Sequence, residues 1–282
     1  MVNTGFFGRI SNTFKMIKSC VEVLKKDKEL ILFPIMAAFS VLILAFIFWS
    51  MGLIDIQEQG TNENTSFAQF IPEIILLFTA NFFIVFFNSA LISGALHRLR
   101  GGDPNVGSAM NHAIKHIHHI FIWSIIVTIV AILIAAIKGD RRQGGGFMRQ
   151  LFGSMLQAGW TMMTFFVVPI IVAENITPIS AIKKSSRMFK QTWGDQVTAN
   201  FGFGIIQIVA IVISGAIGWF FGLLNPTLGI GVGVLFAALS ISITYTLEGI
   251  YKAALYEFAL GEKPLEFKQE DLKTAYSAKV MA

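Results

Sequence analysis

Apolar residues run along this chain in long unbroken stretches. Six stand out, at 30–54, 71–96, 117–137, 151–173, 197–224 and 228–247. A helix needs about 20 apolar residues to cross a hydrocarbon core. Backbone polar groups cannot stay unpaired in lipid, so each stretch predicts a helix. A β-barrel would show short segments alternating every second residue, and none is seen. The pattern predicts an all-α fold, a polytopic transmembrane bundle of six spans. The spans make one transmembrane domain over 1–260, whose last helix continues in amphipathic form to about Leu260, followed by a polar cytoplasmic tail at 261–282.

Amphipathic segments precede the odd-numbered spans. Over 1–29, Phe7, Ile10, Phe14, Ile17, Val21 and Leu24 recur at steps of three and four, which predicts a helix with one apolar stripe. A second segment opens with Asp103-Pro104, an N-cap followed by proline at the first helical position. A third opens with Thr177-Pro178 in the same way. On it, Ile179, Ile182, Phe189 and Trp193 make an apolar face, and Lys183, Arg187 and Lys190 a cationic one. This order is compatible with three repeated units, each an interfacial helix and a hairpin of two spans, although sequence identity between the units is slight.

Charge adds an orientation. Only 14% of the 282 residues are charged, against about 25% in an ordinary soluble domain. Basic residues hold loops in the cytoplasm. They gather before the first span, between spans two and three, between spans four and five, and in the tail. The Asp55, Glu58 and Glu63 loop carries no Lys or Arg. Both termini are therefore expected in the cytoplasm, with the chain in the cell membrane. The loop holding Lys138, Arg141, Arg142 and Arg149 falls on the opposite side, and snorkelling of these side chains to headgroups is the expected reason. Its glycines, Gly144 to Gly146, are not followed by Lys-Ser or Lys-Thr and make no phosphate loop. The first apolar run follows a basic segment without a small-residue cleavage site, so no cleavable leader is expected. Cys20 is the only cysteine, which excludes an intramolecular disulfide. The pI of about 9.3 points to anionic lipid headgroups as partners, with Lys183, Arg187 and Lys190 the best placed, and not to nucleic acid.

Three sets of residues carry a family likeness. The first is Lys25-Lys26-Asp27-Lys28-Glu29-Leu30 leading into Phe33-Pro34, and the second is Leu99-Arg100-Gly101-Gly102-Asp103-Pro104. The third is Val167-Val168-Pro169, Glu174-Asn175, Pro178, Ala181-Ile182-Lys183-Lys184-Ser185 and Thr192-Trp193-Gly194-Asp195. Together they resemble a prokaryotic family of integral membrane proteins of unknown function. The third set is also similar to membrane domains found beside some glycerophosphodiester phosphodiesterases. The likeness runs from about Ser19 to Gly204, and beyond it only hydropathy matches. It implies the fold and no catalytic residue.

Candidate chemistry is sparse. His112, His116 and His119 are spaced four and three apart on one predicted helical face. Neutral imidazoles there suit Zn or Cu, but no Cys, Asp or Glu lies nearby in sequence to complete a site. The competing reading is histidine at headgroup level, and a pH response is physically open. Asn81 and Asn88 share one face of span two, and Glu174 ends span four. Intramembrane polar groups default to function. The competing readings are hydrogen bonds to neighbouring helices, which also fits Gln207, and for Glu174 a contact with Lys183 or the next helix's N-terminus. Glu248 and Lys252 are spaced to pair. Pro169 should kink span four. Gly218 and Gly222, with Gly229 and Gly233, flank the Asn225-Pro226 turn and predict close approach of the last two spans. No protease, nucleophile-elbow or nucleotide-binding signature occurs, and no cofactor is expected. The chain reads as a non-catalytic structural, assembly or accessory subunit that contacts lipids and other membrane proteins. The alternative is a small-molecule or lipid transporter, or a lipid-handling protein.

Overall fold

The computed structural model describes residues 6–53, 70–139, 146–193, 199–269 and Leu272. Helix α1 (Phe6–Lys26) leads through a short 3-10 turn (Lys28–Ile31) into α2 (Leu32–Ser50). Then come α3 (Ile71–Leu99), α4 (Val106–Lys115) and α5 (Ile117–Lys138). Next are α6 (Phe147–Met163), α7 (Val167–Glu174) and α8 (Pro178–Trp193). The last two are α9 (Ala199–Gly222) and α10 (Pro226–Ala259). Among the described residues there is no strand.

Five helical segments are long and apolar enough to cross a membrane: Lys28–Ser50, Ile71–Leu99, Ile117–Lys138, Phe147–Glu174 and Pro226–Ala259. They mark the chain as a multi-pass membrane protein. The stretch at 197–224 is represented by a shorter apolar helix, Ile206–Gly222, and its first residues lie outside the described ones. Large apolar side chains cover the outer surface. Leu42 is 65% exposed and Trp219 70%, and so many exposed side chains of this kind require an apolar solvent.

Contacts divide the chain into two compact units, with boundaries inside α2, α3, α4 and α8. The first unit comprises Met1–Pro34, Leu91–Ala109 and Arg187–Ala282. Its core gathers Cys20, Val23, Leu30, Phe33, Leu91, Ile250, Tyr251 and Tyr256. On α1 the buried positions among the described residues are Met16, Ser19, Cys20 and Val23, with Asp27 just beyond its end. The expected stripe is therefore turned by about one residue, and Ile17, Val21 and Leu24 are only half-buried. Small residues at positions 19 and 20 let α1 approach α10, which explains the turn. The side chains of Phe7, Ile10 and Phe14 lie outside the described part.

In the same unit α9 and α10 form a hairpin with glycine backbones in contact. A methyl group on Gly218 would meet the Cα of Gly233 at 2.8 Å, and one on Gly229 would overlap Gly222. The turn is set by Asn225, whose side chain accepts hydrogen bonds from the Thr227 and Leu228 amides at 2.8 and 3.4 Å, with Pro226 opening the helix. The expected close approach is thus present.

The second unit comprises Ile35–Ala90 and Met110–Ser186. Helices α5 and α6 pair in it, with Trp123 stacked on Trp160 at 5.9 Å between ring centres. Phe121 of α5 meets Phe78 and Phe82 of α3 edge-on. Lys138, expected to snorkel to headgroups, lies along α6. Its stem lies against Gly153 and its Nζ donates to Gln157 Oε1, one turn further along α6. The missing side chain at Gly153 opens that path, and an amide oxygen satisfies the ammonium. Arg141 and Arg142 lie outside the described residues.

Two measurements test this packing. Gly229→Val should destabilise the protein by about 1–3 kcal/mol through overpacking. Gly231→Val, where the structure leaves open space, should leave the thermal unfolding midpoint in detergent nearly unchanged. Burial pushes the Cys20 thiol above its ordinary pKa, and the thiolate is the reactive form. Labelling of Cys20 by a maleimide should therefore be slow in the folded protein and fast after denaturation.

Candidate functional site

The most elaborate polar construction lies in the first unit, where α3 and α10 end side by side. Both helices terminate in the same way. Gly101, at φ +90°, follows α3, with hydrogen bonds from Gly101 N–H to Arg98 O and from Gly102 N–H to His97 O. Gly261, at φ +88°, follows α10, with bonds from Gly261 N–H to Phe258 O and from Glu262 N–H to Glu257 O. Each is a Schellman motif, which needs a left-handed residue and thereby favours glycine. The chain after Gly261 turns back, and Leu265 N–H donates to Leu99 O at 3.1 Å. The start of the polar tail thus closes over the end of α3.

Ion pairs bind these ends together. Arg98 forks onto both oxygens of Asp27 and also reaches Asp103 at 2.5 Å. The Asp27 side chain is 4% exposed and that of Asp103 92%. Arg100 donates to Glu257 Oε1 through Nε and Nη2 at 3.1 and 2.7 Å. The hydrogen bond to Glu257 pushes the Arg100 pKa further above its ordinary value. Lys26 pairs with Glu266 at 2.5 Å. Glu29 accepts from the Val106 amide at 3.0 Å, where a carboxylate favours the start of α4. Leu99, Arg100, Glu257, Leu260, Glu262, Lys263 and Leu265 enclose a pocket of about 470 Å³ beside these pairs.

Asp103, expected as an N-cap, is instead a partner of Arg98. The cap of α4 is Asn105, whose Oδ1 accepts from the Ser108 amide at 2.7 Å while Ser108 Oγ accepts from the Asn105 amide at 3.1 Å. Asp27 and Glu257 were missed in the sequence as site residues. The signal for Asp27 was a lone acid inside a lysine run. Glu257 had no signal beyond being an acid in an apolar helix.

The second unit holds the remaining candidates. Span four is broken between α6 and α7 at Thr164–Phe166. Pro169 has no N–H, and its ring crowds the carbonyl four residues back, at Phe165, which places the break there. The Phe166 amide that the break leaves free donates to Ser185 Oγ at 3.0 Å. Ser185 is fully buried on α8 together with Ala181 and Met188. The buried face of α8 is therefore not the expected one, and Ile179 is 59% exposed. Lys183 and Arg187 are exposed, while the side chains of Lys190 and Trp193 lie outside the described part. Glu174 binds Lys184, not Lys183, with both oxygens at 2.6 and 2.7 Å. Asn81 donates to Thr128 Oγ1 of α5 at 3.1 Å, and Asn88 is half-buried on the same helix. Glu248 and Lys252, in the first unit, pair at 2.7 Å. Gln207, also there, buries its Nε2 without a partner among the described residues.

The histidines fall on two helices, because the backbone breaks at His116 between α4 and α5. His112 Nε2 bonds the Val172 carbonyl at 2.8 Å, at the C-terminal end of α7, where carbonyls lack helical partners. His116 Nδ1 bonds the His112 carbonyl at 2.8 Å. His119 is half-buried, its ring against that of His118. Among the described residues no three His, Cys, Asp or Glu side chains are gathered as metal ligands.

These observations define a class: an all-helical, multi-pass membrane protein whose buried charges fasten helix ends to one another. The chain belongs to DUF6159, a family of unknown function, whose model matches residues 68–264. The match runs well past Gly204 and takes in all of α10 with Glu257, Glu262 and Lys263. A comparison with curated proteins finds no match.

The two carboxylates beside Arg98 should behave differently. Asp27→Ala removes the buried partner of an arginine and should cost about 3 kcal/mol. Asp103→Ala, on the exposed side, should cost about 0.5 kcal/mol or less. Thermal unfolding of the two variants in detergent checks the contrast.

Proposed function

We propose that this protein is a non-catalytic accessory or assembly subunit of a prokaryotic cell membrane, built from six spans with both termini in the cytoplasm. The observation that carries this reading is how its polar groups are used. Arg98, Arg100, Glu174, Lys184, Ser185 and His112 each hold a helix end or a helix break in place. Groups locked in this way fit a scaffold better than a reaction. The pairing of Lys26 with Glu266, and of Arg98 with Asp27, brings together the segment before span one, the loop after span two and the tail. Those are three of the segments that the charge pattern assigns to the cytoplasm, which supports the orientation. The order of interfacial helix and hairpin, repeated from α1, α4 and α8, supports a three-unit plan. Exposed Lys183 and Arg187, with Lys190, suit anionic headgroups.

A second reading, lipid handling, draws on the amphipathic pocket beside Arg100. The Asn81–Thr128 bond weakens its transporter form, because it uses up a polar group that a mid-membrane path would need. Native mass spectrometry of the chain released gently from its own membrane decides between the readings. The accessory role predicts a stoichiometric second protein. A chain always found alone, carrying only lipid, would sink it.

A further inference from the structure

The pocket at the ends of α3 and α10 has the construction of a ligand site. It opens where two apolar segments, Ile71–Leu99 and Pro226–Ala259, stop, and so at the depth of lipid headgroups. Its wall is amphipathic. Leu260 is 44% exposed and Leu265 49%, side by side with four charged residues.

The charges divide into two kinds. Arg100 and Glu257 neutralise each other across 2.7 Å, yet half of the arginine side chain remains exposed towards the pocket. Glu262 and Lys263 are exposed and enter no ion pair among the described residues. They are neighbours in sequence, and both line the pocket. The pocket therefore offers two cationic groups, Lys263 and the outer edge of Arg100, and one anionic group, Glu262, close enough to Arg100 to act on it electrostatically. A purely anionic ligand would meet Glu262 unfavourably, and a cationic one would meet Lys263. A group carrying both charges satisfies both kinds at once.

We propose that this pocket binds a phosphoethanolamine-type group, most naturally the headgroup of a zwitterionic phospholipid. The phosphate faces Lys263 and Arg100, for which a guanidinium edge is a natural partner. The primary ammonium donates hydrogen bonds to Glu262. A choline headgroup, which has no N–H, cannot make those bonds. Leu260 and Leu265 take the start of the acyl chains, which is why a lipid fits better than a free ester. This site does not depend on the accessory role, because either kind of protein can carry it.

The test is native mass spectrometry of the delipidated full-length chain in detergent, with equimolar dioleoyl phosphatidylethanolamine, phosphatidylglycerol and phosphatidylcholine. The ethanolamine lipid should be retained in preference by about two- to fivefold, the range of one exposed charge pair. Glu262→Gln should abolish that preference, and Lys263→Gln should lower retention of all three. Both residues are exposed, so the unfolding midpoint should not move. Soluble glycerophosphoethanolamine is the second arm. Failure to displace the lipid supports a lipid site, and displacement at equal concentration supports the same site serving a free ester. Equal retention of the three lipids, unaltered by either substitution, would overturn the proposal.

Discussion

Every helix end leaves four carbonyls without helical partners, and those that are buried must find a partner elsewhere in the protein. Much of the polar chemistry in this protein answers that constraint. Where α3 and α10 end, paired glycine turns return amides to the last carbonyls, and Arg100 ties the two ends together through Glu257. Where α7 ends, the His112 ring reaches the Val172 carbonyl. Where span four breaks, Ser185 takes the freed amide of Phe166.

The coarse fold was legible because hydrophobic length is a strong signal. Stretches of 20 or more apolar residues have few alternatives to a spanning helix. The glycine pairs around Asn225-Pro226 were equally clear, since small residues four apart beside a tight turn admit one arrangement. Faces were harder to read. On α1 and α8 the largest apolar residues suggested the buried side, yet the structure buries Cys20 and Val23 on one and Ala181 and Ser185 on the other. In a membrane, bulky apolar residues can face lipid, and small ones mark the protein contact. The rule that ranks burial by size in water misleads here.

The site was less legible still. Asp27, Arg98, Arg100 and Glu257 are scattered along the chain, and an ion pair between residues 157 apart leaves no local pattern. Two of the four, Asp27 and Arg100, lie within the first two motifs that carried the family likeness, and Arg98 directly precedes the second. Those motifs were visible as words without a visible reason. The reason is geometric, since Lys25–Pro34 and Leu99–Pro104 supply opposite sides of one charged junction. His112 and His116 illustrate the converse. Their spacing was suggestive and their rings do lie 4.8 Å apart, but among the described residues no third ligand joins them.

The first unit is assembled from the beginning, the middle and the end of the chain. Arg100 emerges from the ribosome long before Glu257, and Asp27 long before Arg98. During synthesis each waits for a partner that has not been made. The second unit, by contrast, lies between Ile35 and Ser186, in two stretches interrupted only by Leu91–Ala109. Completion of the first unit is thus a late event, triggered when α10 is inserted and its last turn meets Arg100. Until then Arg100 stands without the carboxylate that neutralises it in the finished protein.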